Sequence, residues 1–230
     1  MIADTIHQFD TELQGRARLV AVTKTKPVSM LQEAYDAGAR LFGENKVQEM
    51  TDKHPQLPPD VQWHLIGHLQ TNKVKYIAPF VALIHSVDSL KLLQEIDKQA
   101  AKHNRVIDCL LQIHIADEAT KYGLSPDEAG ALLNAPELNS LVHVRIVGLM
   151  GLATNTDDEG KVRGEFQGLK RLYDQFATTQ RPTIQFCELS MGMSGDYRIA
   201  VEEGSTLIRV GSAIFGARSP QPGHNDTTTL

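Results

Sequence analysis

Short runs of β-branched and apolar residues alternate along the chain with longer stretches whose apolar positions recur every three or four residues. That is the pattern of repeated strand–helix units around a parallel sheet. The first run covers Arg18 to Thr25; Pro27, a capping Ser29 and the stripe Leu31, Ala34, Tyr35 then predict a helix that stops at Ala37-Gly38. Seven more strands are predicted at Arg40 to Gly43, Val61 to Ile66, Val81 to Val87, Val106 to Ile115, Val142 to Leu149, Ile184 to Ser190 and Thr206 to Val210. Helices are predicted near Lys46 to Lys53, Thr71 to Ile77, Ser89 to His103, after Ser125-Pro126-Asp127, and over Asp158 to Thr178, with an extra one at about 3–14. Eight strands alternating with helices favour a closed (β/α)8 TIM barrel over an open doubly wound sheet. They leave no room for a second domain, so residues 1–230 are expected to form one, ending in a polar, Pro/Gly-rich tail at 218–230.

Charge and cysteine content narrow the function. Against 28 Asp and Glu the chain has 23 Lys and Arg, a net charge of −5, which argues against nucleic acid as a partner. Cys109 and Cys187 both adjoin apolar residues and are expected to be buried, reduced thiols of a cytoplasmic protein. Neither a leader segment nor an apolar run near the roughly 20 residues of a membrane helix is present, so no membrane partner is expected.

In such barrels the chemistry gathers where the strands end, which singles out Lys24, Glu44, Asn45, His64, Ser86, His114, Met150, Ser190 and Arg209. Alternation from Val20 and Val22 turns Lys24 inward, either as an amine at the solvated rim or as a desolvated nucleophile that forms a Schiff base. Ser190-Met-Gly-Met-Ser194 and Arg209-Val-Gly-Ser-Ala are Gly/Ser loops after strands seven and eight, the usual phosphate position of this fold, although either alone is also an ordinary turn. Arg209 either pairs with an acid such as Glu188 or Glu203 or faces a ligand. A reactive lysine, a phosphate cradle and an arginine together point to pyridoxal phosphate. The spacing of His64-Leu-Ile-Gly-His68 does not suit a zinc helix, and no metal is expected. Gly-x-Ser-x-Gly and Gly-x-x-x-x-Gly-Lys-Ser/Thr are both missing, which removes the acyl-enzyme and nucleotide-hydrolase readings.

The chain resembles the pyridoxal phosphate homeostasis protein family, a fold-type III barrel similar to the N-terminal barrel of alanine racemase. The motifs that carry the resemblance are Ala21-Val-Thr-Lys-Thr-Lys-Pro27, Phe42-Gly-Glu-Asn-Lys-Val-Gln-Glu49, Trp63-His-Leu-Ile-Gly-His-Leu-Gln70, Gly148-Leu-Met150, Ser190-Met-Gly-Met-Ser194 and Arg209-Val-Gly-Ser-Ala-Ile-Phe-Gly216. The resemblance implies an aldimine on Lys24, a phosphate held by Ser194 with Gly211 and Ser212, and Arg209 at the pyridine nitrogen. It further implies that Asn45 and Met150 line the ring, with His64 and Ser190 in the same site. The second domain that supplies a base in the racemases is not expected here, so the chain is expected to carry the cofactor and pass it to apo-enzymes without catalysis, as a monomer or weak dimer. Two alternatives stand beside this: a small racemase or lyase using His64 or Tyr197 as base, and a Schiff-base aldolase acting on a phosphorylated sugar.

Overall fold

The computed structural model describes residues 1–117, 122–179 and 181–216, so the tail at 218–230 lies outside the described residues. Helix α1 (Ile2–Leu13) leads into β1 (Arg18–Val22). There follow α2 (Val28–Asp36), β2 (Leu41–Glu44), α3 (Val47–Lys53), β3 (Gln62–Leu65), α4 (Val74–Ile77), β4 (Leu83–Val87) and α5 (Leu90–Lys102). The chain continues through β5 (Ile107–Ile113), α6 (Pro126–Asn134), β6 (Val144–Gly151), α7 (Glu159–Phe176), β7 (Ile184–Ser190), α8 (Tyr197–Glu202), β8 (Leu207–Val210) and α9 (Ser212–Phe215). The strands make one closed barrel in chain order, and β8 pairs in parallel with β1 through Val20↔Arg209 and Ala21↔Val210.

Local chemistry sets the helix starts. Ser125 and Glu128 form a reciprocal capping box with Pro126 in the first turn, and Ser89 accepts a hydrogen bond from the Leu92 N–H. In α7 the buried Val162, Phe166 and Leu169 fall on one stripe that packs against the strands. Alternation along the strands puts Ala21, Phe42, Trp63, Leu65 and Ile84 under the helices, while Val20, Leu41, Leu83, Leu110, Val147, Met150 and Leu207 form a separate cluster in the barrel.

Several predicted boundaries shift, each for a local reason. β1 stops at Val22 because the chain turns at once, with the Lys26 N–H donating to the Thr23 carbonyl at 3.0 Å. α2 opens at Val28 with Pro27 as its N-cap, so Ser29 lies inside the first turn and does not cap it. The segment from Thr71 to Ile77 begins as a 3-10 turn, Thr71–Lys73, before α4. Cys109 is buried as expected, but Cys187 is exposed, because its strand borders a cavity that is open at the N-terminal end of the barrel.

The β6–β7 register shifts between Ile146 and Gly148, and Gly148 takes φ +154° against the Glu188 backbone. A methyl group there would collide with the Glu188 carbonyl oxygen. The substitution Gly148→Ala is therefore expected to destabilise the barrel by about 3 kcal/mol or more, read as a lower urea midpoint; an unchanged midpoint would contradict this register.

Candidate functional site

The loops after β1, β7 and β8 meet over the C-terminal end of the barrel and enclose a cleft of about 400 Å³. Lys24, Asn45, Ser194, Arg209, Gly211 and Ser212 line it, with Ile66, Leu152 and Met193 as apolar walls. Lys24 reaches the cleft from a turn past the strand end, and it is half-buried there beside Val22. Lys26 borders the same cleft, but its amine donates to the Phe215 and Gly216 carbonyls at 3.0 Å each, tying the β1 loop to the C-terminal end of α9. Asn45 follows β2 directly, and its carbonyl rests so close to Gly67 that a side chain at 67 would displace it. The Ser212 hydroxyl donates to Ser194 Oγ at 3.1 Å, which brings the β7 and β8 loops together.

Arg209 is almost fully buried and donates to the Gly151 carbonyl at 2.9 Å and to Ser190 Oγ. Ser190 in turn contacts His85 Nδ1 at 2.9 Å, and His85 Nε2 meets His64 Nδ1 at 2.9 Å. The four side chains form one buried polar chain through the barrel. Burial pushes His64 down to about 3, with Arg18 adding to the effect, and pushes His85 well below its usual range, so both rings are neutral at physiological pH. Arg209 is pushed down by burial to about 10, opposed by the charge of Asp196, and stays cationic. Asp196 also accepts from the Met193 N–H at 2.5 Å and so pins the loop that carries Ser194; burial raises its carboxyl, with that amide and Arg209 working against the rise.

The sequence-predicted set therefore divides by depth. Lys24, Asn45, Ser194, Arg209, Gly211 and Ser212 share the cleft. Ser190 and His64 lie in the buried chain, and Met150 belongs to the apolar cluster in the barrel; none of these three lines the cleft. Glu188 pairs with Arg18 and Glu203 with Arg163, so neither is the partner considered for Arg209. The Tyr197 hydroxyl donates to Glu12 on α1 at 2.5 Å and is not among the cleft residues. His85 and Asp196 were not singled out from the sequence; a histidine inside the apolar run Leu83 to Val87 was the available signal for the first.

A larger cavity, about 740 Å³, opens at the opposite end of the barrel around the Arg145–Asp108 ion pair. That end of a (β/α)8 barrel serves stability; Arg145 and Asp108 pair with each other there, and Arg181 also borders the cavity. Among the described residues no cluster of three or more His, Cys, Asp or Glu could hold a metal, and no helix is long and apolar enough to cross a membrane.

Residues 1–219 match the family model of the alanine racemase N-terminal domain. The chain is 39% identical over 203 residues to a pyridoxal phosphate homeostasis protein of Aquifex aeolicus, covering 88% of this chain and 87% of that one. It is 40% identical over 215 residues to one of Vibrio cholerae, covering 89% and 88%. Among solved structures it is similar to PipY of Synechococcus elongatus with PLP bound, at 36% identity, TM-score 0.84, and coverage of 94% of this chain and 100% of that one. An alanine racemase of Clostridium difficile shares the fold at 11% identity and TM-score 0.75, covering 98% of this chain and 59% of that one.

The buried histidines make stability depend on pH. A histidine held neutral in the fold contributes its full share above the unfolded value of about 6.5 and loses it as pH falls toward the folded one. For His64, with a folded value of about 3, lowering the pH from 7 to 5 is expected to cost about 2 kcal/mol. Urea unfolding at the two pH values checks this, and His64→Gln should remove that part of the difference.

Proposed function

This chain belongs to the pyridoxal phosphate homeostasis protein family, built on the alanine racemase N-terminal domain, and from that membership we propose that it holds pyridoxal phosphate as a Schiff base on Lys24 and passes it to apo-enzymes. The reading rests on the donor set of one cleft: an amine, two hydroxyls in mutual contact, and a buried guanidinium. The set fits the cofactor. Among the described residues lining the cleft there is no carboxylate to repel a phosphate, and the volume suits a small ligand. When bound, pyridoxal phosphate supplies an aldehyde that an amine captures reversibly. Lys24 provides the amine; Ser194, Ser212 and the backbone at Gly211 provide donors for the phosphate. Arg209 would face the ring nitrogen, and Asn45, which lines the same cleft, would lie beside the ring.

Two features support transfer over turnover. Arg209 only donates, so it would leave a ring nitrogen opposite it as an acceptor without a proton, which would weaken the ring as an electron sink. Among the described residues of the cleft there is also no carboxylate, imidazole, phenol or thiol to serve as a second base, a group worth some 10²–10⁴-fold in rate. The reading places the protein in a reducing cytoplasm, where apo-enzymes are made.

Replacing Ser194 by Ala removes a charge-assisted donor worth about 1.5–3 kcal/mol, so the Kd for pyridoxal phosphate should rise roughly 10–100-fold while pyridoxal binding changes little. Mixing the loaded protein with an apo-enzyme should restore that enzyme's activity, and the Lys24→Ala variant should do so poorly. Robust turnover of any single amino acid, lost in Lys24→Ala, would instead establish a racemase or lyase.

A further inference from the structure

One buried ionic cluster beside the cleft has no part in the reading above. After β1 the chain turns through Thr23, Lys24 and Thr25, and Thr25 sits at φ +63°. That left-handed conformation is costly for a β-branched residue, so the turn persists only where its surroundings hold it. Both neighbours of Lys24 are held. The Thr23 hydroxyl donates to Glu44 Oε1 at 2.6 Å, and Lys53 Nζ donates to the Thr23 carbonyl at 2.9 Å. On the other side, the Thr25 N–H donates to Glu49 Oε2 at 2.7 Å. Lys53 joins the two carboxylates, donating to Glu44 at 2.7 Å and to Glu49 at 3.1 Å.

None of the three charged residues lines the cleft, and the side chains of Glu44 and Lys53 are 0% and 10% exposed. A buried ion cluster is a poor way to gain stability, because desolvation offsets most of the attraction. It is a good way to fix geometry. Among the described residues, the side-chain hydrogen bonds that join the cluster to the rest of the chain end on Thr23 or Thr25. Burial pushes the Glu49 carboxyl up, but the Thr25 amide and Lys53 together outweigh it and hold Glu49 below the usual range, so it remains an ionised acceptor for the strained turn.

We propose that Glu44, Lys53 and Glu49 are positioning residues for Lys24: they hold the turn with Thr25 left-handed and thereby aim the Lys24 amine into the cleft. The proposal rests on Lys24 being the residue that captures pyridoxal phosphate. It makes the need for Glu49 depend on how unwilling residue 25 is to be left-handed. Asparagine tolerates that conformation far better than threonine.

The test is a double-mutant cycle on the full chain, with Glu49→Ala and Thr25→Asn made singly and together. Pyridoxal phosphate is titrated into each protein and the absorbance of the lysine-bound cofactor gives the Kd, with urea midpoints measured in parallel. Glu49→Ala is expected to raise the Kd about 10-fold in the Thr25 background, and by about 2-fold or less in the Thr25→Asn background. A group that only supports the fold would lower the urea midpoint and show no such rescue. Equal losses in both backgrounds, or a Glu49→Ala protein that captures the cofactor as the unmodified protein does, would overturn the proposal. Should Glu49→Ala not fold, Glu49→Gln in the same two backgrounds carries the comparison, with a loss of roughly 3-fold expected only where Thr25 is kept; no loss, or the same loss in both, overturns it. An unmodified protein whose absorbance does not respond to pyridoxal phosphate would overturn the functional reading along with the brace, whereas normal capture without coupling overturns the brace alone.

Discussion

A guanidinium inside a barrel has to be given acceptors, because a buried charge without them costs several kcal/mol. Arg209 receives them from the Gly151 carbonyl and Ser190 Oγ, and that requirement shapes the interior. Three inward positions on β3, β4 and β7 that a barrel of this kind usually fills with Val, Leu or Ile are His64, His85 and Ser190. The polar chain lets the strands present a fixed cation to the cleft. The apolar cluster of Val20, Leu83, Leu110 and Val147 supplies the packing that this chain forgoes.

The loops above Arg209 are coupled to one another as well as to the barrel. Lys26 joins the β1 loop to the end of α9, Ser212 joins the β8 loop to Ser194, and Asp196 joins the β7 loop to the field of Arg209. The amine, the hydroxyls and the guanidinium are thus set by one connected frame, so a ligand that touches all three meets groups whose spacing is already fixed. Preorganisation of this kind favours holding a cofactor, and the same cleft exposes Leu152 and Met193 at its mouth, where a captured ligand stays within reach of solvent.

The barrel was legible because its period is repeated eight times and each repeat carries its own stop signals, such as the Ala37-Gly38 end of α2 and the Ser125-Pro126 start of α6. Lys24, Arg209 and the two Gly/Ser loops were legible because they lie at or just past strand ends, where this architecture gathers chemistry. Depth was not. Met150 and His64 point inward as alternation requires, yet they sit below the cleft, and one-dimensional periodicity gives the direction of a side chain without its height in the barrel. The early end of β1 was hidden for a different reason: Thr23-Lys-Thr25 reads as strand, and the carboxylate that holds Thr25 left-handed is Glu49, 24 residues away. Cys187 misled in the same manner, since the cavity beside it exists only once β5, β6 and β7 are assembled.

Two amines border the cleft, those of Lys24 and Lys26, and we propose that Lys24 alone captures pyridoxal phosphate. Loading the protein with pyridoxal phosphate, reducing it with borohydride and mapping the peptides measures this directly. The label is predicted on Lys24 alone, because the Lys26 amine is engaged by the Phe215 and Gly216 carbonyls. A label on Lys26, or no label on any lysine of the cleft, would show that Lys24 is not the residue that captures the cofactor.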